Sequence, residues 1–229
     1  MVIKVDYERS NEIGVFMKLT NSFCIIPYNA PKKFFNILST ELGNRYPIVK
    51  TYICNTRCIG SLVIGNSKGL LLPNQTSNSE MMNLREFLPS HITIKKIKNN
   101  IMALGNCVAL NDYTALVNPE LDSETQELLS DTLGVEVFKV SIGSHNNIGS
   151  YCVFNNKGGV VFPDITNEDQ EEISSLLNIP LLTSTVNCGS VLISSGAVCN
   201  DFSSFTGFNS TQSETYVLES AFKISQVLR

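Results

Sequence analysis

The residues of this chain that could do chemistry are its cysteines, histidines, clustered lysines and paired serines, and their spacing decides what they can do. The 229 residues include seven cysteines (Cys24, Cys54, Cys58, Cys107, Cys152, Cys188 and Cys199) and two histidines, His91 and His145. A cysteine nucleophile needs a base within hydrogen-bond reach and a third group to orient that base. His91 follows Pro89 at the start of an extended run, and His145 stands in a Gly/Ser/Asn stretch, so neither has the local setting of a positioned base. Cys54 and Cys58 form a lone CxxxC, whereas a zinc site needs a second pair or nearby histidines. Unpaired, reduced thiols are expected, with no metal and no cofactor. The run Gly65-Asn66-Ser67-Lys68-Gly69 has the composition of a phosphate loop but lacks the GxxxxGK spacing, and a hairpin turn explains it. Lys95, Lys96 and Lys98, with Arg85 upstream, form a small basic cluster that reads as a solvated face or a modest phosphate contact. Ser174 and Ser175 follow Glu168, Asp169, Glu171 and Glu172, a setting that suits an acidophilic kinase. A phosphate there would oppose the helix end by its charge.

Composition bounds the rest. The chain is 43% hydrophobic and 17% charged, enough for a sizeable core and against global disorder. Its formal net charge is −4, whereas a protein that grips nucleic acid through phosphates carries excess Lys and Arg. Basic protein partners suit it better, because opposite charge steers the encounter. Met1–Glu8 carries Lys4, Asp6 and Glu8 where a signal peptide needs an apolar run. No stretch approaches the roughly 18–20 apolar residues of a membrane span. Cytoplasm and nucleus are the expected compartments.

The elements that hold these residues repeat. Gly14, Gly60, Gly105, Gly149 and Gly196 each open a similar phrase, at separations of 46, 45, 44 and 47 residues. Each phrase reads as a β-hairpin: a β-rich run, a turn of Asn and small residues, then a second apolar run stopped by proline at Pro27, Pro73, Pro119 or Pro163. Asn66, Asn111 and Asn155 are the clearest turn formers, and positive φ is expected there. A helix follows, lined by Phe34, Ile37, Leu38 and Leu42 after Pro31. In the next units the stripe is Met81, Leu84 and Leu88 after Ser77, then Leu128, Leu129 and Leu133 after Asp122, then Ile173, Leu176 and Leu177 after Asn167. A third strand closes each unit at Ile48–Tyr52, Ile92–Lys95, Val135–Phe138 and Leu181–Thr185. The fifth unit departs: its helix reads as a turn near Ser210–Glu214, and Tyr216–Ile224 alternates like a strand. A unit of about 45 residues cannot bury its own apolar face, but five in a ring can. The spacing therefore predicts an α/β fold of five ββαβ repeats in one closed domain over 1–229, fraying after about residue 225.

At this level the residues carry a resemblance. ALGN at Ala103–Asn106, NDY at Asn111–Tyr113, VEVF at Val135–Phe138, GSYCVF at Gly149–Phe154, EDQ at Glu168–Gln170, SSLL at Ser174–Leu177 and TVN at Thr185–Asn187 stand in one order. With NEIG at Asn11–Gly14 and KLTN at Lys18–Asn21, they resemble the translation initiation factor 6 family, of the eukaryotic rather than archaeal type. The likeness covers nearly the whole chain. It implies a five-bladed pentein-type α/β propeller. It also implies a non-enzymatic factor that binds the intersubunit face of the large (60S) ribosomal subunit and keeps the small (40S) subunit from joining. The implied contact is ribosomal protein uL14, with eL24 and the sarcin–ricin rRNA loop close by. Late large-subunit maturation in nucleolus and cytoplasm is implied too, with release by an elongation-factor-like GTPase and the Shwachman–Diamond syndrome protein. Matching positions for the ribosomal-protein contact are Asn66, Asn106, Tyr151 and Leu192, with Tyr151 read as a strand residue. Ser61 and Cys188 stand where the family often has Arg, so a charged rim contact is expected to be missing. Ser174 and Ser175 match the family's regulated pair.

Two other readings stay open on residues alone. The same ring hosts guanidine-modifying enzymes with a Cys nucleophile in the pore, which would require His91 or His145 to approach a Cys. A protein-binding scaffold that never meets a ribosome would have the same core.

Overall fold

In the computed structural model, which describes residues 1–43, 45–143 and 145–224, each repeat opens on a single turn of helix. These turns are Ile13–Phe16, Ile59–Leu62, Leu104–Cys107, Ile148–Tyr151 and Ile193–Gly196. The sequence reading puts strand there, because Val, Phe and Leu next to the glycines look β-rich. Close packing explains the difference. A Cβ on Gly60 would lie 1.8 Å from the Gly14 carbonyl oxygen, and one on Gly105 would lie 2.2 Å from that of Gly60. The five turns stand against one another around an axis, each touching the next and the fifth touching the first. A Cβ on Gly14 would meet the Ser194 oxygen at 1.8 Å. Ser194, not Gly196, is therefore the fifth unit's equivalent residue, and the fifth phrase is in register two residues earlier than its glycine suggests.

From each helical turn an inner strand runs away from that end of the axis, and a middle strand returns antiparallel to it. Examples are Lys18–Leu19 with Cys24–Pro27 and Cys152–Phe154 with Gly159–Val161. A long helix follows, and a third strand pairs parallel with the middle one: Ile48–Thr51, Thr93–Lys96, Glu136–Lys139 and Leu181–Thr183. The result is five three-stranded sheets, one per unit. The middle strands are buried along their whole length.

The fifth unit corrects the sequence reading twice. Its long helix is complete, Gln212–Phe222, opened by a capping box in which Thr211 and Glu214 satisfy each other's backbone N–H groups. Glu214, Leu218, Ala221 and Phe222 are its buried residues, the spacing of one helical face. Its third strand comes from the other end of the chain: Val2–Val5 pairs parallel with Ser204–Gly207 and closes the ring. The caps at Ser77 and Asp122 are as the sequence indicates. In the fourth unit the cap is Thr166 rather than Asn167, and Pro31 precedes its helix rather than opening it. The fraying expected after residue 225 lies outside the described residues.

The core sits between units. Phe23, Ile25 and Val49 of the first unit share one cluster with Val63, Leu70 and Leu84 of the second. Ile64 and Leu71 of the second share another with Leu104, Leu129 and Leu133 of the third. This is the physical form of the repeat argument: each sheet is covered by its neighbour's helix. No helix among the described residues is long and apolar enough to cross a membrane.

Candidate binding face

The ring has two unlike ends. One carries the hairpin turns, and there the asparagines act by accepting hydrogen bonds rather than by adopting positive φ. Asn66 Oδ1 accepts from the N–H groups of Lys68 and Gly69 at 2.9 and 3.1 Å, and Asn111, Asn155 and Asn200 do the same in their units. Asn66 Nδ2 also donates to the Leu133 carbonyl at 2.9 Å, at the C-terminus of the next unit's helix. Beyond them a second layer runs around the axis. The N–H of Ser67 donates to Asp112, that of Asp112 to Asn156, that of Asn156 to Asp201 and that of Asp201 to Asn21. The Asn21 and Asn156 amides each bridge Asp112 and Asp201 at 2.7–2.9 Å. Burial acts to raise the Asp112 pKa, but bonds from Asn156, Ser67 and Asn21 outweigh it and hold the carboxyl below its ordinary value.

The other end carries the helical turns, the N-termini of the long helices, and a rim of tight loops. Positive φ occurs in these loops, at Glu8, Arg9, Cys54, Asn55, Asn187 and Cys188. An Arg57–Glu8 ion pair at 2.9 Å joins the first two loops. Three of the ribosomal-contact candidates named from the sequence, Asn106, Tyr151 and Leu192, meet here with both rim positions, Ser61 and Cys188. Ser61 and Asn106 hold equivalent places in successive helical turns. Tyr151 ends the fourth turn, so it is a helix rather than a strand residue, and Leu192 caps the fifth with 41% of its surface exposed. Cys188 is exposed in the fifth rim loop. The Tyr151 ring is half-buried, stacked on His145 with centroids 4.3 Å apart and tilted on Phe162. Among the described residues, the side chains of Ser61 and Asn106 make no hydrogen bond to protein. Asn66 does not join this group. It lies at the opposite end, 3% exposed, with its amide committed to the turn and to Leu133.

The remaining candidates divide by burial. Ser174 Oγ donates to the Ile179 carbonyl at 2.7 Å and helps close its helix, whereas Ser175 is exposed beside a groove lined by Asn167, Gln170, Glu171 and Asn178. The ring neighbours of His145 are aromatic, and His91 is exposed after the second long helix. Burial pushes the Cys24 thiol up to about 12 and those of Cys152 and Cys199 well above the usual range, which makes them poor nucleophiles. Among the described residues no group of three or more His, Cys, Asp or Glu is placed to hold a metal. Sequence reasoning missed Lys18, which lines the axial cavity. The signal was available in the repeat alignment, where Ile64, Ala109, Val153 and Val198 hold its place.

The molecule is thus a pentein-type ring of five α/β units, closed by its own N-terminal strand, with one end sealed and one end open. A dimethylarginine dimethylaminohydrolase solved as an adduct with S-methyl-L-thiocitrulline shares the fold. It matches 75% of this chain and 68% of its own at a TM-score of 0.51, with 11% identity. The chain belongs to the eIF-6 family, whose pattern it matches over residues 2–221. It is 46% identical to eukaryotic translation initiation factor 6 of Saccharomyces cerevisiae, over 98% of this chain and 91% of the yeast protein. Identity is 44% to the Drosophila melanogaster factor, over 99% of this chain and 92% of that one. It is also 44% to initiation factor 6-2 of Arabidopsis thaliana, at the same coverage.

Proposed function

We propose that this chain is a translation initiation factor that binds the large ribosomal subunit through the open end of the ring and keeps the small subunit from joining it. The observation that carries the proposal is the family match across residues 2–221. The open end supports it. Leu192 offers an apolar anchor there, and Ser61 and Asn106 offer hydrogen-bonding groups that the fold does not consume. A ring bound at a bridge surface excludes the partner subunit by volume, so the mechanism needs affinity, shape and a controlled off-rate but no covalent step. The protein contact is ribosomal protein uL14, with eL24 and the sarcin–ricin loop nearby. Release falls to an elongation-factor-like GTPase with the Shwachman–Diamond syndrome protein. The factor works in nucleolus and cytoplasm, where large subunits mature. Ser61 and Cys188 leave the rim without two cations, and Ser175 is the accessible half of the serine pair.

The test is sucrose-gradient cosedimentation with purified subunits. The wild-type chain should travel with the large subunit and suppress joining, and Asn106→Lys and Leu192→Asp should lose both properties while remaining folded. A wild-type chain that stays at the top of the gradient sinks the proposal. Variants that bind as well as wild type move the contact to another face.

A further inference from the structure

The axis of the ring holds a partly open cavity of about 100 Å³ between the helical turns and the inner strands. A water molecule needs on the order of 10–15 Å³ of such space, so several fit. The wall is mostly backbone and apolar side chain, with Ile64, Ala109, Val153 and Val198 in equivalent places in four units. Lys18 holds the fifth such place and is the one charged residue on the wall among the described residues. Lys18 is half-buried and lines this cavity. Among the described residues no protein acceptor hydrogen-bonds its Nζ.

Among the described residues no counter-charge lines the cavity with it. The titratable groups sharing the wall are Cys152 and Cys199, and burial keeps both as neutral thiols. The acids at the sealed end, Asp112 and Asp201, lie beyond a collar formed by Leu19, Gly65, Leu110, Phe154 and Cys199. They already accept from Asn21 and Asn156. Burial lowers the Lys18 pKa to about 8, with Cys199 opposing the shift slightly, so the amine still carries its proton at neutral pH. An ammonium held partly away from bulk water with no protein partner is costly. At the mouth of the same cavity Ser61, Asn106 and Ser195 present side-chain polar atoms with no protein partner among the described residues. One fixed positive charge, uncommitted donors and room for a few heavy atoms are together the chemistry of an anion receptor.

We propose that the axial cavity binds one small monoanion, of the size of a halide, formate or bicarbonate, with Lys18 as its counter-ion. One ammonium neutralises one negative charge, and the volume admits no nucleotide. The cavity mouth shares Ser61 and Asn106 with the proposed ribosomal face, but Lys18 lies inside on the axis, so Lys18→Met tests the anion site separately from subunit binding.

The test uses the full chain in a gluconate buffer at constant ionic strength, with gluconate replaced by bromide, formate or bicarbonate. Crystals grown without halide and soaked in sodium bromide should show an anomalous bromine peak in the cavity beside Lys18 Nζ. The wild-type melting temperature should rise by several degrees with the bound anion, and that of Lys18→Met should not respond. The anion that acts at the lowest concentration identifies the source as halide or carboxylate. Should Lys18→Met not fold, the wild-type amine followed by nitrogen NMR gives the same answer, because saturating anion should raise its proton affinity at least tenfold. An empty cavity after bromide soaking, an equal response in Lys18→Met, or an unmoved amine titration overturns the proposal.

Discussion

The two ends of this ring are built from the same five repeats, yet they use polar residues in opposite ways. At the sealed end, Asn66, Asn155 and Asn200 are 3–4% exposed, and each has hydrogen bonds on both sides of its amide. At the open end, Asn106 holds an equally regular position in the repeat, but its amide bonds to no described protein group. An asparagine repeated at a fixed place is therefore not a functional signal by itself. Residue type and period are shared by both ends, and commitment to the fold is what separates them.

The sharpest way to break the comparison is to disturb the frame both ends share. Gly60→Ala puts a methyl 1.8 Å from the Gly14 oxygen and 2.5 Å from that of Met17, both backbone atoms. It should cost about 3 kcal/mol of stability, read by urea denaturation, with loss of ring closure as the extreme. A loss below about 1 kcal/mol would mean that the helical turns are not packed as tightly as described.

The asparagines come next. Asn66→Ala removes one donor and one shared acceptor in a buried setting and should cost about 2–3 kcal/mol, while the folded fraction keeps its subunit binding. Asn106→Ala should change stability by less than about 0.5 kcal/mol. If the two variants were equally destabilising, the division between sealed and open ends would fail.

An effect smaller than that of Asn66→Ala refines the open end, which is not loose everywhere. Glu214 accepts from Thr185 Oγ1 and from the N–H groups of Cys188, Gly189 and Thr211. Burial acts to raise its pKa, but these bonds outweigh it and bring the carboxyl down to about 2. A depressed carboxyl stabilises the fold above its unfolded value near 4.5, and the gain is lost as pH falls towards 2. Glu214→Gln should therefore be about 1–2 kcal/mol less stable than wild type at pH 7, with the gap closing between pH 4.5 and 2. A gap independent of pH would assign the effect to packing.

The repeat, the first four long helices and the turn positions were legible because each has a local cause: a period, an apolar stripe, a residue type that favours turns. The positive φ expected at Asn66, Asn111 and Asn155 is absent, because their side chains accept from the turn instead. The parts that were not legible have causes distant in sequence. The helical turns at Gly14, Gly60, Gly105 and Gly149 form where each meets the backbone of the preceding turn around the axis, which residues with strand propensity do not announce. Tyr216–Ile224 shows an alternation that suits a strand. The Thr211–Glu214 capping box and the face of Leu218, Ala221 and Phe222 suit a helix, and tertiary packing decides between them. The strand that the fifth unit needs lies at Val2–Val5, where no local pattern links it to Ser204–Gly207. Of the site, the helical-turn positions could be read from the repeat, but the burial of Asn66 could not, because it depends on the Leu133 carbonyl of another unit.

The pairing of Val2–Val5 with Ser204–Gly207 has a consequence for how the molecule is made. Strand Val2–Val5 leaves the synthesising ribosome about 200 residues before its partner Ser204–Gly207. At roughly 5–20 residues per second, its hydrogen-bonding edge waits of order 10–40 s before the ring can close. Over that interval the ring is an open arc with Val2–Val5 as a free strand edge. That edge is exposed to chaperones and to misplaced pairing, and closure becomes an event after synthesis of the final repeat rather than a gradual one.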